Sequence, residues 1–299
     1  MRGNFLLLTI LLISLISALA LNEEESNNNG TKESLLENKA VQFVKIKDDL
    51  NRTIYLRGIP ERIVSLAPSN TEMLFALGAG DKVVGVTSYC DYPPEAREKE
   101  IVGGFLDLNL EKIVSLNPDL VLAFGDLQLE YVNRLEELGF KVVVFNPKDL
   151  NGIYRNILTL GKILGREEKA VEIISEMKGE ITKLRKKEIK ERKVLVLLSW
   201  EPLYVVGKGT FLDNLLEELG IENLAEEKGY YVMSPEELIS IDPPVILFLG
   251  GRETIESPLR EKLTAFREGK VFYLDPDLTT RPGPRIVLGA KEIAKALDP

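Results

Sequence analysis

The chain is 299 residues long and 44% apolar, carries a net charge of -9, and has one cysteine and no histidine. Its length allows one large or two medium domains, and its apolar share is that of a globular protein, so most of it is expected to fold. The acidic balance speaks against nucleic acid as a partner; the missing histidines rule out Ser-His-Asp and Cys-His catalysis, histidine-ligated haem and the usual zinc clusters, and Cys90 alone cannot form an intrachain disulfide.

Arg2 precedes an apolar run over residues 5–21, which ends in the small-residue cleavage pattern Ala18-Leu19-Ala20. Residues 1–21 therefore read as a signal peptide or N-terminal anchor of an exported protein. No cysteine lies near this run, so a lipid-modified N-terminus is not expected. Residues 22–39 are polar and read as a disordered tether. Asn29 and Asn51 each begin an N-glycosylation pattern, a three-residue signal of low specificity.

From residue 40 the hydrophobic pattern is that of a folded chain. Residues 41–56 alternate as two short strands around a turn at 48–51, and 62–66 is a buried strand ended by Pro68. Ser69-Asn70-Thr71-Glu72 has the form of a capping box and predicts a helix over 71–77 that stops at Gly78. A strand at 83–86, a helix at 110–116, a strand at 120–124, a helix at 129–138 and a strand at 142–145 follow. Nearly all-apolar strands alternating with helices imply a parallel sheet covered on both faces, an α/β lobe over 40–148. The texture then changes over 149–192. Ala170, Ile173, Ile174, Met177, Ile181 and Leu184 recur at helical spacing among many charges. They predict a strut helix over about 166–190, roughly 35 Å long at 1.5 Å per residue. A second lobe is expected over 193–299: strand 194–198, helices 210–219 and 235–239, strands 245–249 and 271–274, and helix 285–297.

Part of the first lobe recurs in the second. Residues 111–125 read EKIVSLNPDLVLAFG and residues 236–250 read EELISIDPPVILFLG. At this constant offset Glu111 meets Glu236, and Asn117-Pro118 meets Asp242-Pro243; further on, KVVVFNP at 141–147 is echoed by KVFYLDP at 270–276. Two similar lobes place the functional site where they face each other. Open parallel sheets bind ligands beyond the carboxyl ends of their strands. The predicted elements put Tyr89, Phe124 and Trp200 there, with Phe105 and Tyr230 in loops before the repeated helices. Asp277, Leu278, Thr279, Thr280 and Arg281 follow the last strand, Asp277 and Arg281 acting as polar anchors. Aromatic walls with few polar groups suit a large, flat, partly apolar molecule. Gly78-Ala79-Gly80 ends a helix instead of opening one, and Gly207-Lys208-Gly209-Thr210 lacks the order of a phosphate loop. Cys90 has no neighbouring base to activate it.

The stretches RIVSLAPSNTE at 62–72, TSYCDYPPEA at 87–96, NLEKI at 109–113 and NPDLV at 117–121 closely resemble the solute-binding proteins of vitamin B12 ABC importers. Those belong to a wider group that also binds ferric siderophores and haem. The resemblance runs from about residue 41 to 297 and includes RPGPRI at 281–286. It implies the fold of a class III periplasmic-binding protein: two α/β lobes, each with a mainly parallel sheet, joined by a single long helix. It implies that Tyr89 and residues 277–281 contact cobalamin, with Phe105 and Tyr230 standing where B12-binding members have tryptophan; Trp200 falls one or two positions from a contacting aromatic. It further implies that Glu111 and Glu236 dock onto arginines of a membrane permease. The expected role is an exported, monomeric, non-enzymatic receptor in the periplasm or at the outer face of the membrane. It has no resident cofactor or metal and passes a corrinoid, or alternatively a ferric siderophore or haem, to a permease and ATPase. A two-lobe enzyme is the distant alternative, and Asp277, Tyr89 and Arg281 form no recognisable catalytic constellation for it.

Overall fold

A computed structural model describes residues 43–250 and 259–298. The signal segment, the tether and the Asn29 pattern lie outside the described residues. The first strands, β1 (Phe43–Lys47) and β2 (Thr53–Arg57), pair with each other. Asp48 shapes the turn between them, accepting hydrogen bonds from the Leu50 and Arg52 amides at 3.1 and 2.9 Å, while Asn51 takes a left-handed φ of 63°. Asp49 ties the turn to the rest of the lobe by accepting from the Asn146 amide at 2.6 Å.

Five strands form the first sheet: β3 (Ile63–Ser65), β4 (Val83–Val86), β5 (Glu100–Ile101), β6 (Leu120–Phe124) and β7 (Val142–Phe145). Their order is β5-β4-β3-β6-β7 and every pairing is parallel. Helices α1 (Pro68–Ala76), α2 (Leu110–Ser115) and α3 (Leu129–Glu137) connect them. Helix α1 begins at Pro68, three residues before the predicted start. Its N-cap is Ala67, with no side-chain cap bond, so Ser69 and Glu72 do not form the expected capping box. Proline at the first helical position has no amide hydrogen to satisfy, which removes part of the need for a cap.

The segment between the lobes holds two helices, α4 (Leu150–Leu164) and α5 (Glu167–Lys186). Gly165, at φ 62°, makes the left-handed break between them. The two pack closely: a Cβ on Gly161 would come within 2.6 Å of the Ala170 methyl. Helix α5 is the long one, 20 residues or about 30 Å. It stops short of the predicted Lys190, since Lys187 is extended and Ile189 turns into the core.

The second sheet comprises β8 (Lys193–Ser199), β9 (Tyr204–Val206), β10 (Glu222–Asn223), β11 (Tyr230–Val232), β12 (Ile246–Phe248) and β13 (Val271–Tyr273). It runs β11-β9-β8-β12-β13, with β10 beside β8. The β8, β10, β12 and β13 pairings are parallel, while β9 and β11 add an antiparallel edge absent from the sequence expectation. Its helices are α6 (Phe211–Glu218), α7 (Pro235–Ile241), α8 (Thr264–Arg267), α9 (Pro276–Thr279) and α10 (Ile286–Ala296). The fold is thus α/β, two lobes with mainly parallel sheets and one long helix between them.

The sequence repeat is a structural one. β3-β6-β7 of the first sheet and β8-β12-β13 of the second follow the same order, and the helices α2 and α7 precede the matching strands β6 and β12. Asn117 and Asp242, which end those helices, share a left-handed conformation at φ 45° and 39°. Asn and Asp tolerate this conformation better than other side-chain-bearing residues, and the following prolines cannot continue a helix. Between the sheets runs one continuous core, in which Ile63, Phe145 and Ile153 meet Ile174, Met177, Val196, Leu215 and Ile293. Each fully buried side chain of this kind contributes about 1.5–3 kcal/mol.

Candidate functional site

Sequence folds the first lobe so that Tyr89, three residues past the end of β4, stands 59% exposed, while its neighbour Cys90 is buried. Burial pushes the Cys90 thiol up, so it is inert. Phe105 and Phe124 lie together as a tilted ring pair, centroids 6.0 Å apart. A residue that sequence reasoning missed holds them: the buried Gln128 donates to the carbonyls of Leu66 (2.9 Å) and Phe105 (2.8 Å) and accepts from the Phe124 amide (2.9 Å). One amide side chain thereby brackets the end of β3 and both phenylalanines. Its partners are up to 62 residues distant, which leaves no local pattern.

In the second lobe the expected wall is different. Trp200 is 9% exposed and packs in the core edge-on to Phe266, centroids 5.5 Å apart, so it is not an open cleft ring. The exposed aromatics are Tyr204 (36%) and Tyr230 (52%), stacked at 6.5 Å and 18°. Tyr230 lies in β11 instead of a loop, and the β9–β11 pairing sets Tyr204 opposite the exposed Val232. Tyr204 was not expected at the site; its signal was an exposed aromatic within six residues of the carboxyl end of β8.

Asp277, Leu278 and Thr279 belong to the short helix α9, capped by the Asp275 carboxylate, which accepts from the Asp277 amide at 2.8 Å. The hydroxyls of Thr279 and Thr280 donate to the carbonyls of Asp275 (2.9 Å) and Pro276 (2.7 Å), so both already have acceptors. Leu278 is half-buried, and its carbonyl would lie 2.3 Å from a Cβ at Gly289, which fixes α9 against α10.

Arg281 is the centre of an inter-lobe ion cluster. It pairs with Asp277 of its own lobe at 2.7 Å and with Asp91 and Glu72 of the first lobe at 2.6 and 3.3 Å. Arg285 joins from α10's start, donating to Glu72 at 2.6 and 3.0 Å, and its guanidinium lies 3.9 Å from the Tyr92 ring centroid. The Glu72 side chain is 2% exposed and sits between the two arginines. Burial alone would push the Asp91 pKa up, but the Arg281 hydrogen bond and charge, with Arg97, hold its carboxyl below the usual carboxylate range. Three carboxylates therefore surround Arg281, and its charge is matched before any ligand arrives.

Glu111 and Glu236 each occupy the second residue of a helix, α2 and α7, and both are exposed. Asn109 and Ser234 cap these helices by accepting from the amides of Lys112 (2.9 Å) and Glu237 (3.1 Å). The carboxylates add favourably to the positive end of each helix dipole.

A family model described as periplasmic binding protein matches residues 63–278, and the chain belongs to that family. It is 33% identical, over 90% of each chain, to an uncharacterized ABC transporter substrate-binding lipoprotein, YvrC, of Bacillus subtilis. It is 32% identical to a vitamin B12-binding protein of Salmonella typhimurium, over 83% of this chain and 94% of the other. Among solved structures, the periplasmic vitamin B12 binding protein BtuF of Vibrio cholerae superposes with a TM-score of 0.72 at 29% identity, covering 80% of this chain and 96% of that one. The two-lobed α/β architecture is that of the class III periplasmic binding proteins.

Proposed function

We propose that this protein is the exported substrate-binding component of an ABC importer and that it captures cobalamin or a related corrinoid between its lobes. The observation that carries the ligand is the state of Arg281. With Asp277, Asp91 and Glu72 around it, this arginine has no unmatched charge to offer. A haem with its propionates, or a ferric catecholate, needs unpaired cations. A corrin ring with neutral amide arms needs apolar surfaces and hydrogen bonds, and Tyr89, Phe105, Phe124, Tyr204 and Tyr230 supply the first of these. The B12-binding relatives support the same reading. The protein acts by holding its cargo, without turnover, and Glu111 and Glu236 serve as paired contacts for the permease.

Calorimetry tests the ligand. Cobalamin should bind with micromolar or tighter affinity, and Tyr89→Ala and Tyr204→Ala should each weaken it by about 1–3 kcal/mol. Trp200→Phe should lower stability and leave affinity nearly unchanged, since that ring is in the core. Heat with a ferric siderophore or haem, but none with cobalamin, overturns the corrinoid and leaves the receptor role standing.

A further inference from the structure

A cavity of about 740 Å³ opens where α1 and the segment after β4 meet the start of α10. None of the cleft aromatics lines it. Its apolar surface comes from Phe75, Tyr92, Val287 and Leu288, and both Tyr92 and Leu288 are exposed. Glu72 and Arg285 also line it, but they are hydrogen-bonded to each other and cancel. What remains is Asp81, Glu95 and Glu98 against the single ammonium of Lys99, and none of these four is in an ion pair with another described residue. The pocket already contains one cation on an aromatic face, Arg285 over Tyr92. Its volume falls within the range of small-molecule sites, roughly 300–1,000 Å³.

We propose that this cavity is a second binding site, for a compact organic cation: an ammonium or amidinium group carried on a hydrocarbon or aromatic body. The body covers Phe75, Tyr92 and Leu288, and the charge lies among Asp81, Glu95 and Glu98. A purely polar polyamine leaves the apolar surface wet, and an anion meets three carboxylates. The site is independent of what the inter-lobe cleft carries.

Phenylbutylammonium and phenylbutyrate share one body and differ in the sign of the charge, so they form the test pair. Calorimetry and saturation-transfer NMR on the full chain should show the ammonium binding about tenfold or more tightly than the carboxylate at low salt. Replacing both Glu95 and Glu98 by glutamine should erase most of that difference, and Leu288→Lys, which supplies a cation of its own at the mouth, should abolish binding. All three positions are exposed, so folding is not at stake. Equal binding of the two probes, no binding of either, or an ammonium affinity unmoved by the glutamine pair would each overturn the proposal.

Discussion

At Glu72 one buried carboxylate serves two arginines, and removing its charge leaves both short of a partner. Breaking a buried pair costs about 3–5 kcal/mol, and Arg281 keeps Asp91 and Asp277, so Glu72→Gln should destabilise the protein by about 3 kcal/mol. Urea denaturation would show this as a lower midpoint at constant slope; an unmoved midpoint would mean that the pair does not hold the lobes. Asp91 makes the same cluster sensitive to acid. Its folded pKa lies below the unfolded value, so its contribution is fully present above about pH 4 and is lost as pH falls through the lowered folded value. Asp91→Asn should therefore flatten the acid limb of a stability–pH curve and lower its neutral and alkaline side by a constant amount, without changing the slope there. The sequence named Asp277 and Arg281 as polar anchors, but not their partners Glu72 and Asp91 or the second arginine, Arg285. Glu72 sits in a stretch that reads perfectly well as a capping box, and its arginines lie 209 and 213 residues further on. Trp200 misled and Tyr204 was missed for a related reason: one lies in the short turn after β8 and the other opens β9, so their side-chain directions depend on the pairing of β8, β9 and β11, which no local period announces.

Among the elements, those legible in sequence were those whose apolar pattern decides their burial. The strands β3, β6, β7, β8 and β12 are short apolar runs between turn residues, and parallel strands buried on both faces have to look like that. The Asn117 and Asp242 junctions were legible for a different reason, since a helix end followed by proline needs a residue that accepts left-handed torsions. Strands β9 and β11, three residues each, were not, because three residues cannot establish an alternation. In helix α5 the apolar stripe fixed the helix but not its end, where Ile189 is drawn into the core. Gly179 lies on the exposed side of α5, and a Cβ there would meet nothing within 4 Å. Gly179→Ala should stabilise the protein by about 0.5–1 kcal/mol, measurable as a raised melting temperature with ligand affinity unchanged.

For the molecule as a whole, the repeat places Glu111 and Glu236 at equivalent points of the two lobes, and a transporter with paired subunits could engage both. Reversing the two together to lysine should leave cobalamin binding and melting temperature almost unchanged, since both carboxylates are exposed and outside the ion cluster. Uptake in cells should fall sharply, and further than for either single reversal. Normal uptake would return both to the status of solvated helix-end charges, and lost cobalamin binding would put them in the cleft.

The core that passes unbroken from one sheet to the other, with Glu72 pinned to α10's start, leaves little room for the lobes to swing. Empty and loaded receptor should then present nearly the same outline to the membrane. A permease that grips the outline cannot turn empty receptors away, so each one that docks occupies the place of a loaded one. Uptake should consequently peak at an intermediate abundance of receptor and decline when it is made in excess of its cargo.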